Sequence, residues 1–259
     1  MSASDTQEES GPVFVDVLTD EELSVVARPG PLPVMPFLTD LEEPARETAR
    51  RTAYRSLIAR GIVDPPTPEA IAAATALRDG SVELMIRNDI RSVIALREAA
   101  QVIVAVARTA AASQDFWYAH LVDDVVLVEE VSRDGMHRFA LAGADRLGDL
   151  AVGAAVHPDA ADGAGPTVTV DAEEGDTMPP DALLERLGAA FVRADVIVRR
   201  PRDIEPPAFA VLSGPEGSWC IETGPPPLSA EPLTADAARE RVAEAVAQVR
   251  AEAVTLARD

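Results

Sequence analysis

"FWYAHLVDDVVLVEEVSRDGMHRFAL", residues 116–141, contains two of the chain's three histidines, the adjacent aromatics Phe116, Trp117 and Tyr118, and a run of acids. It can be read as an active site or as a β-meander that carries polar residues. Alternation favours the meander: Trp117, Ala119 and Leu121 fall on one face of an extended chain, Tyr118 and His120 on the other. Turn-forming residues at Asp123-Asp124 and from Ser132 to Gly135 separate three strands, "FWYAHLV", "VVLVEEV" and "MHRFAL".

The polar residues of this stretch form no recognisable reaction centre. A zinc site needs three or four converging ligands at short fixed spacing, and His120 and His137 stand on different strands. Both are expected as half-exposed strand residues without a metal. Glu129 and Glu130 are adjacent, so an extended chain points them apart, into solvent. No G-x-S-x-G elbow and no phosphate-cradling glycine loop occurs in the chain. Cys220, the one cysteine, follows Trp219 mid-strand and reads as a small buried hydrophobe. Arg193, Arg199, Arg200 and Arg202 make a local basic cluster, but Asp195 and Asp203 interleave with it and favour internal pairing. The expectation is no catalytic residue, no metal and no cofactor.

Working outward, "VFVDVL" (13–18) alternates as a strand, and Thr19 with Glu22 makes a capping box for the helix "DEELSVVA". After a Pro-rich connector, Thr39 or Asp40 is expected to cap a longer helix, with Gly61 just past its end as the left-handed residue. Thr67-Pro68 opens another helix to about Leu77. "SVELMIR" and "QVIVAVAR" read as strands, and periodicity leaves "RSVIALREAA" open between helix and strand. A helix, "ADRLGDLAVGAA", then an acidic Gly/Ala/Asp loop at 157–166 and a short strand, "TVTVD", follow. The strands "AFAVLS" and "SWCIET" precede a closing helix from Thr234.

The chain also repeats itself. "MPPDALLERLGAAFVRADVIVRR" (178–200) echoes "DPPTPEAIAAATALRDGSVELMIR" (64–87), and both Ala70–Ala182 and Arg87–Arg199 are 112 residues apart (182 − 70 and 199 − 87). "EPLTADAARERVAEAV" resembles "FALAGADRLGDLAV" at a separation of 91 (236 − 145). The expected organisation is a disordered tail, 1–12, and a single α+β domain, 13–259. Its antiparallel sheet is flanked by helices, and two pseudo-symmetric halves, about 66–157 and 179–258, make it up.

With 259 residues, 47% of them hydrophobic and 26% charged, the chain has the composition of a globular protein. A net charge of -21 argues against a nucleic-acid partner, which requires a cationic surface. All 23 basic residues are arginine. The acidic N-terminus, "MSASDTQEES", lacks the pattern of a secretory signal. No run of about 20 apolar residues suggests a membrane span. A single cysteine fits a reducing compartment, so a cytoplasmic location is expected, without a membrane partner.

Several of these segments together resemble the EspG family. The order "VFVDVL", "LTDEELSVVA", "GPLPVMPFL" is similar to that family's opening strand, short helix and Leu-Pro segment. "ARRTAYRSLIARGIVD" resembles a family helix that ends in a Leu-x-x-Arg-Gly-aliphatic element, carried here by Leu57, Arg60, Gly61 and Ile62. "PEGSWCIETGPPP" is similar to the family's C-terminal strand with Trp and a Pro turn. The resemblance implies a cytosolic, non-catalytic chaperone of actinobacterial type VII (ESX) secretion, with an α+β fold in two pseudo-symmetric halves. It also implies partners that are helical secretion substrates, PE/PPE-like or other small ESX proteins. The residue-based reading leaves two alternatives: a small-molecule-binding or regulatory α+β protein, and an uncharacterised enzyme.

A partner surface is expected at the loop "TAAASQ" and the strand after it, at Thr109, Ser113, Gln114, Phe116 and Trp117, together with the C-terminal helices. The loop is small and uncharged. Exposed aromatics beside it would make effective anchors, while a core position for Phe116 and Trp117 is the competing reading.

Overall fold

The computed structural model describes residues 11–28, 34–77, 84–110, 113–170, 192–200, 203, 206, 208–222 and 228–256. The expected tail therefore lies, up to residue 10, outside the described residues, as do the repeat segment 178–190 and Ala111-Ala112 of the hairpin loop. A ten-stranded antiparallel sheet organises the described residues, in the order β1-β5-β4-β3-β2-β7-β8-β9-β10-β6. The strands are β1 (Val13–Thr19), β2 (Val102–Ala110), β3 (Ser113–Val122), β4 (Val125–Val131), β5 (Met136–Gly143), β6 (Val168–Val170), β7 (Val192–Arg199), β8 (Ala208–Gly214), β9 (Gly217–Glu222) and β10 (Leu228–Leu233). The helices are α1 (Asp20–Val26), α2 (Pro36–Thr39), α3 (Glu43–Ala59), α4 (Pro68–Leu77), α5 (Asn88–Ala99), α6 (Leu147–Ala155) and α7 (Ala235–Leu256). The fold is α+β, with helices against both faces of the antiparallel sheet.

The opening stretch is the meander β3-β4-β5. Its turns use Asp123 in a left-handed conformation (φ 49) and Gly135 likewise (φ 71). A second meander, β7-β8-β9-β10, runs outward from the central β2/β7 pair in the other direction, and each meander ends in a helix on the same face. There α6 and α7 cover Val104, Val106, Trp117, Ala119, Val196, Phe209 and Val211, which form the larger core. Arg87 precedes α5 while Arg199 ends β7, so those two residues occupy different kinds of element. Asp145 and Asp236, by contrast, both stand where a helix opens after a meander.

On the opposite face α1, α3 and α5 cover β1, β4 and β5 through Leu18, Leu23, Leu57, Ile62, Ile90, Val93, Leu127 and Phe139. Thr19 and Glu22 form the anticipated capping box on α1. α3 starts at Glu43 rather than at a Thr39 or Asp40 cap, because Pro44 has no N–H and is accommodated only in a first turn. Its end is a Schellman motif. Gly61 (φ 64) donates its N–H to Ile58 O, Ile62 donates to Leu57 O, and the Leu57 and Ile62 side chains bury in one cluster. Residues 88–99, left open between helix and strand, form α5, whose Ile90 and Val93 turn inward at helical spacing. Of the expected strand "SVELMIR", the described part contributes one isolated bridge, Val63 to Ile86.

Candidate functional site

Two features meet at the end of the sheet where β3, β4 and β5 carry the opening stretch: a buried ionic network and an open groove. Cross-strand pairing sets the network. Tyr118 faces Glu129 across β3/β4, and Glu129 faces Phe139 across β4/β5. Opposed residues share a sheet face, so Tyr118, His120, Glu129, His137 and Phe139 all project away from α6 and α7. His120, Glu129 and His137 are fully buried, which corrects the expectation that they are half-exposed or solvated. Only Glu130, on the other face, is exposed.

Glu129 is the hub. Its Oε2 accepts from Arg97 Nε of α5 at 2.9 Å and lies 3.0 Å from His120 Nε2, while Oε1 lies 2.7 Å from His137 Nδ1. The other nitrogen of His137, Nε2, is 2.7 Å from Asp20 Oδ1 at the start of α1. The second oxygen of Asp20 accepts the N–H groups of Phe37 (2.8 Å) and Leu38 (3.0 Å), and so holds α2. Asp20 also donates its own N–H to Gly135 O. A Cβ on Gly135 would stand 2.8 Å from Asp20 Oδ2 and 2.9 Å from Phe37 Cβ. Glycine is needed there for clearance as well as for its positive φ. Tyr118 Oη accepts the Val34 N–H at 3.2 Å, a second tether on the chain leading into α2.

Burial opposes ionisation of Glu129, but Arg97, His120 and His137 outweigh it and hold this carboxyl well below its ordinary value. Burial likewise acts to lower the His137 pKa. Hydrogen bonds to Asp20 and Glu129, with their charges, overcome that and raise it. Burial pushes the Tyr118 hydroxyl up to about 12. In its protonated form His137, set between two carboxylates, donates from both nitrogens. The formal charges of Asp20 and Glu129 are then balanced by Arg97 and His137. Each His137 nitrogen is occupied by a carboxylate oxygen, a linear chain of hydrogen bonds. The described residues contain no cluster with the convergence of a metal site. His120 Nδ1 is buried and finds no hydrogen-bond partner among the described residues. Solvent does not reach Asp20, Glu129 or His137, so the arrangement braces α1, α2 and α5 on the sheet and presents no acid or base to an outside molecule.

The groove lies beside it, between α2 and the β2–β3 hairpin, with a cavity of about 580 Å³. Thr109, Ser113, Gln114 and Phe116 line one side, Val34, Pro36, Thr39 and Asp40 the other, with Arg133 at the β4–β5 turn. Four of the five residues expected at a partner surface thus come together. The fifth does not: Trp117 is only 3% exposed, packed in the α6/α7 core. Strand parity decides this, since neighbouring residues point to opposite faces. Phe37, next to Pro36 on α2, is 44% exposed. Asp20, Arg97 and the α2 wall have no counterpart in the sequence-derived site. The legible signal was parity alone, which puts Glu129 and His137 among Leu127, Val131 and Phe139.

An antiparallel α+β sheet protein with an open groove at one hairpin is the class these observations define. No family model matches the sequence, and no curated protein matches it. Among solved structures the chain is similar to the Mycobacterium tuberculosis type VII secretion system chaperone EspG5, solved in complex with a PE25-PPE41 dimer. The identity is 11%, the match covers 76% of this chain and 93% of that chain, and the TM-score is 0.44. That likeness is too distant to bear on function. No helix among the described residues is long and apolar enough to cross a membrane.

Proposed function

We propose that this protein is a non-catalytic, cytoplasmic adaptor of the EspG kind, which binds helical secretion substrates, PE/PPE-like or other small ESX proteins, at the groove between α2 and the β2–β3 hairpin. The observation that carries the reading is the groove itself: Thr109, Ser113, Gln114 and Phe116 line it together with α2. Its walls combine apolar Val34, Pro36 and Phe116 with hydroxyl and amide groups, a surface suited to the apolar stripe and polar flanks of an amphipathic helix. Sequence resemblance supports the same reading, and its Leu57-Arg60-Gly61-Ile62 element closes α3 under the α1 brace. Burial of the ionisable cluster agrees with a role that needs no chemistry. The net charge of -21 would attract clients bearing Arg or Lys. In this reading residues 66–157 and 179–258 are pseudo-repeats, each contributing one meander and its closing helix.

Copurification with helical secretion proteins encoded beside this gene tests the proposal, using Gln114→Arg and Phe116→Ala. Gln114 is exposed, so its replacement leaves the fold intact. Loss of about tenfold or more in affinity is expected for each, as for truncation or blocking at an interface hot spot. Unaltered affinity in both variants places the docking surface elsewhere.

A further inference from the structure

The groove wall is tied to a group that can gain or lose a proton. α2 is anchored through the Phe37 and Leu38 amides on Asp20 Oδ2, and Asp20 in turn is held through Oδ1 by His137. We propose that His137 is a proton-operated latch on α2: protonated, it fixes Asp20 and with it the wall of the groove, and when it loses its proton the wall loosens. This regulates the docking surface proposed above and rests on that reading only for its consequence for partner binding.

The groups facing the latch from each packed element set the direction. β4 supplies Glu129, β3 supplies His120, α5 supplies Arg97 and α1 supplies Asp20. Glu22 of α1 is occupied by Ser56 and Arg60 of α3, and β1 presents apolar Leu18 opposite His137. A neutral imidazole has one N–H and cannot donate to both carboxylates. Glu129 retains Arg97 and His120. Among the described ion pairs, Asp20 has no cation other than His137. Deprotonation therefore leaves Asp20 as the uncompensated buried charge, and its route to relief is to swing toward solvent, away from the two α2 amides. The groove is firm on the acidic side of the His137 titration and slack on the alkaline side.

Amide hydrogen exchange of the full-length protein tests this without any partner. Rates at Phe37 and Leu38, corrected for the intrinsic effect of pH, are followed alongside the His137 imidazole resonances. The expected result is acceleration of about tenfold or more at both amides as His137 deprotonates, from loss of a charge-assisted bond. Asp20→Asn, which keeps an acceptor but not the charge, should remove the step. Rates that stay flat through the His137 titration in the wild type overturn the latch, whether or not any variant folds. Binding of the helical partner is measured over the same pH range. If exchange steps while affinity does not, the latch stands and the groove is not the docking surface.

Discussion

On the face away from α6 and α7, the meander β3-β4-β5 carries His120, Glu129 and His137 fully buried, while β8, β9 and β10 carry Ala210, Leu212, Ile221 and Ala230. Both stretches alternate in the same way and pair through the same antiparallel ladder. What differs is the covering. α1, α2 and α5 bring Asp20, two free α2 amides and Arg97 onto the first meander, and a buried ionic chain satisfies all of them. The apolar cluster in the second meander requires no such matching. Its residues tolerate many neighbours, whereas Glu129 tolerates only an arrangement that returns its charge.

The largest effect should follow from breaking the hub. Glu129→Ala leaves Arg97 buried without its carboxylate and His137 with Asp20 alone, a loss of about 3–5 kcal/mol in unfolding free energy by urea titration. A cost under about 1 kcal/mol would mean that the network contributes little beyond filling space. The matching change in the second meander, Leu212→Ala, should cost about 2–3 kcal/mol, because a small cluster can partly collapse around the missing methyls. That cost should be the same at pH 5 and pH 9, since transfer and cavity terms carry no charge. If it changes with pH, the two faces are not as distinct as their residues suggest.

The pH dependence of the wild type sharpens the contrast further. His137 has a raised pKa in the fold, so its stabilisation is complete below its ordinary value of 6.5 and is lost as pH rises through the folded value. Glu129 has a lowered pKa, so its contribution is present above its ordinary 4.5 and is lost as pH falls through the folded value. Denaturation midpoints should therefore be highest between those two ordinary values and decline on the alkaline side, and His137→Gln should flatten that alkaline decline. The smallest effect belongs to Tyr118→Phe, which removes the acceptor for the Val34 N–H. About 0.5–1.5 kcal/mol is expected, with faster exchange at Val34 and no change in the second meander.

Much of this architecture was legible in local sequence. Thr19 and Glu22, Gly61, Thr67-Pro68 and the turn at Ser132–Gly135 each act within a single local turn, and each is where its chemistry requires. Parity in "FWYAHLV" likewise separates Trp117 from Tyr118 and His120. The start of α3 departs from the Thr39/Asp40 cap signal because that signal competes with Pro44, and residues 88–99 are ambiguous in sequence because a short apolar run fits both periods.

The sequence by itself determined which side chains share a face, because backbone periodicity is a local property. It could not determine that Glu129 would be buried as an ion. That depends on His137 reaching Asp20 across 117 residues, and on Arg97 arriving from a helix whose very existence was open. A buried charge is stable only when its partners converge within hydrogen-bonding distance. Convergence of β3, β4, β5, α1 and α5 on one point is a product of tertiary packing, and so is the groove that α2 forms beside it.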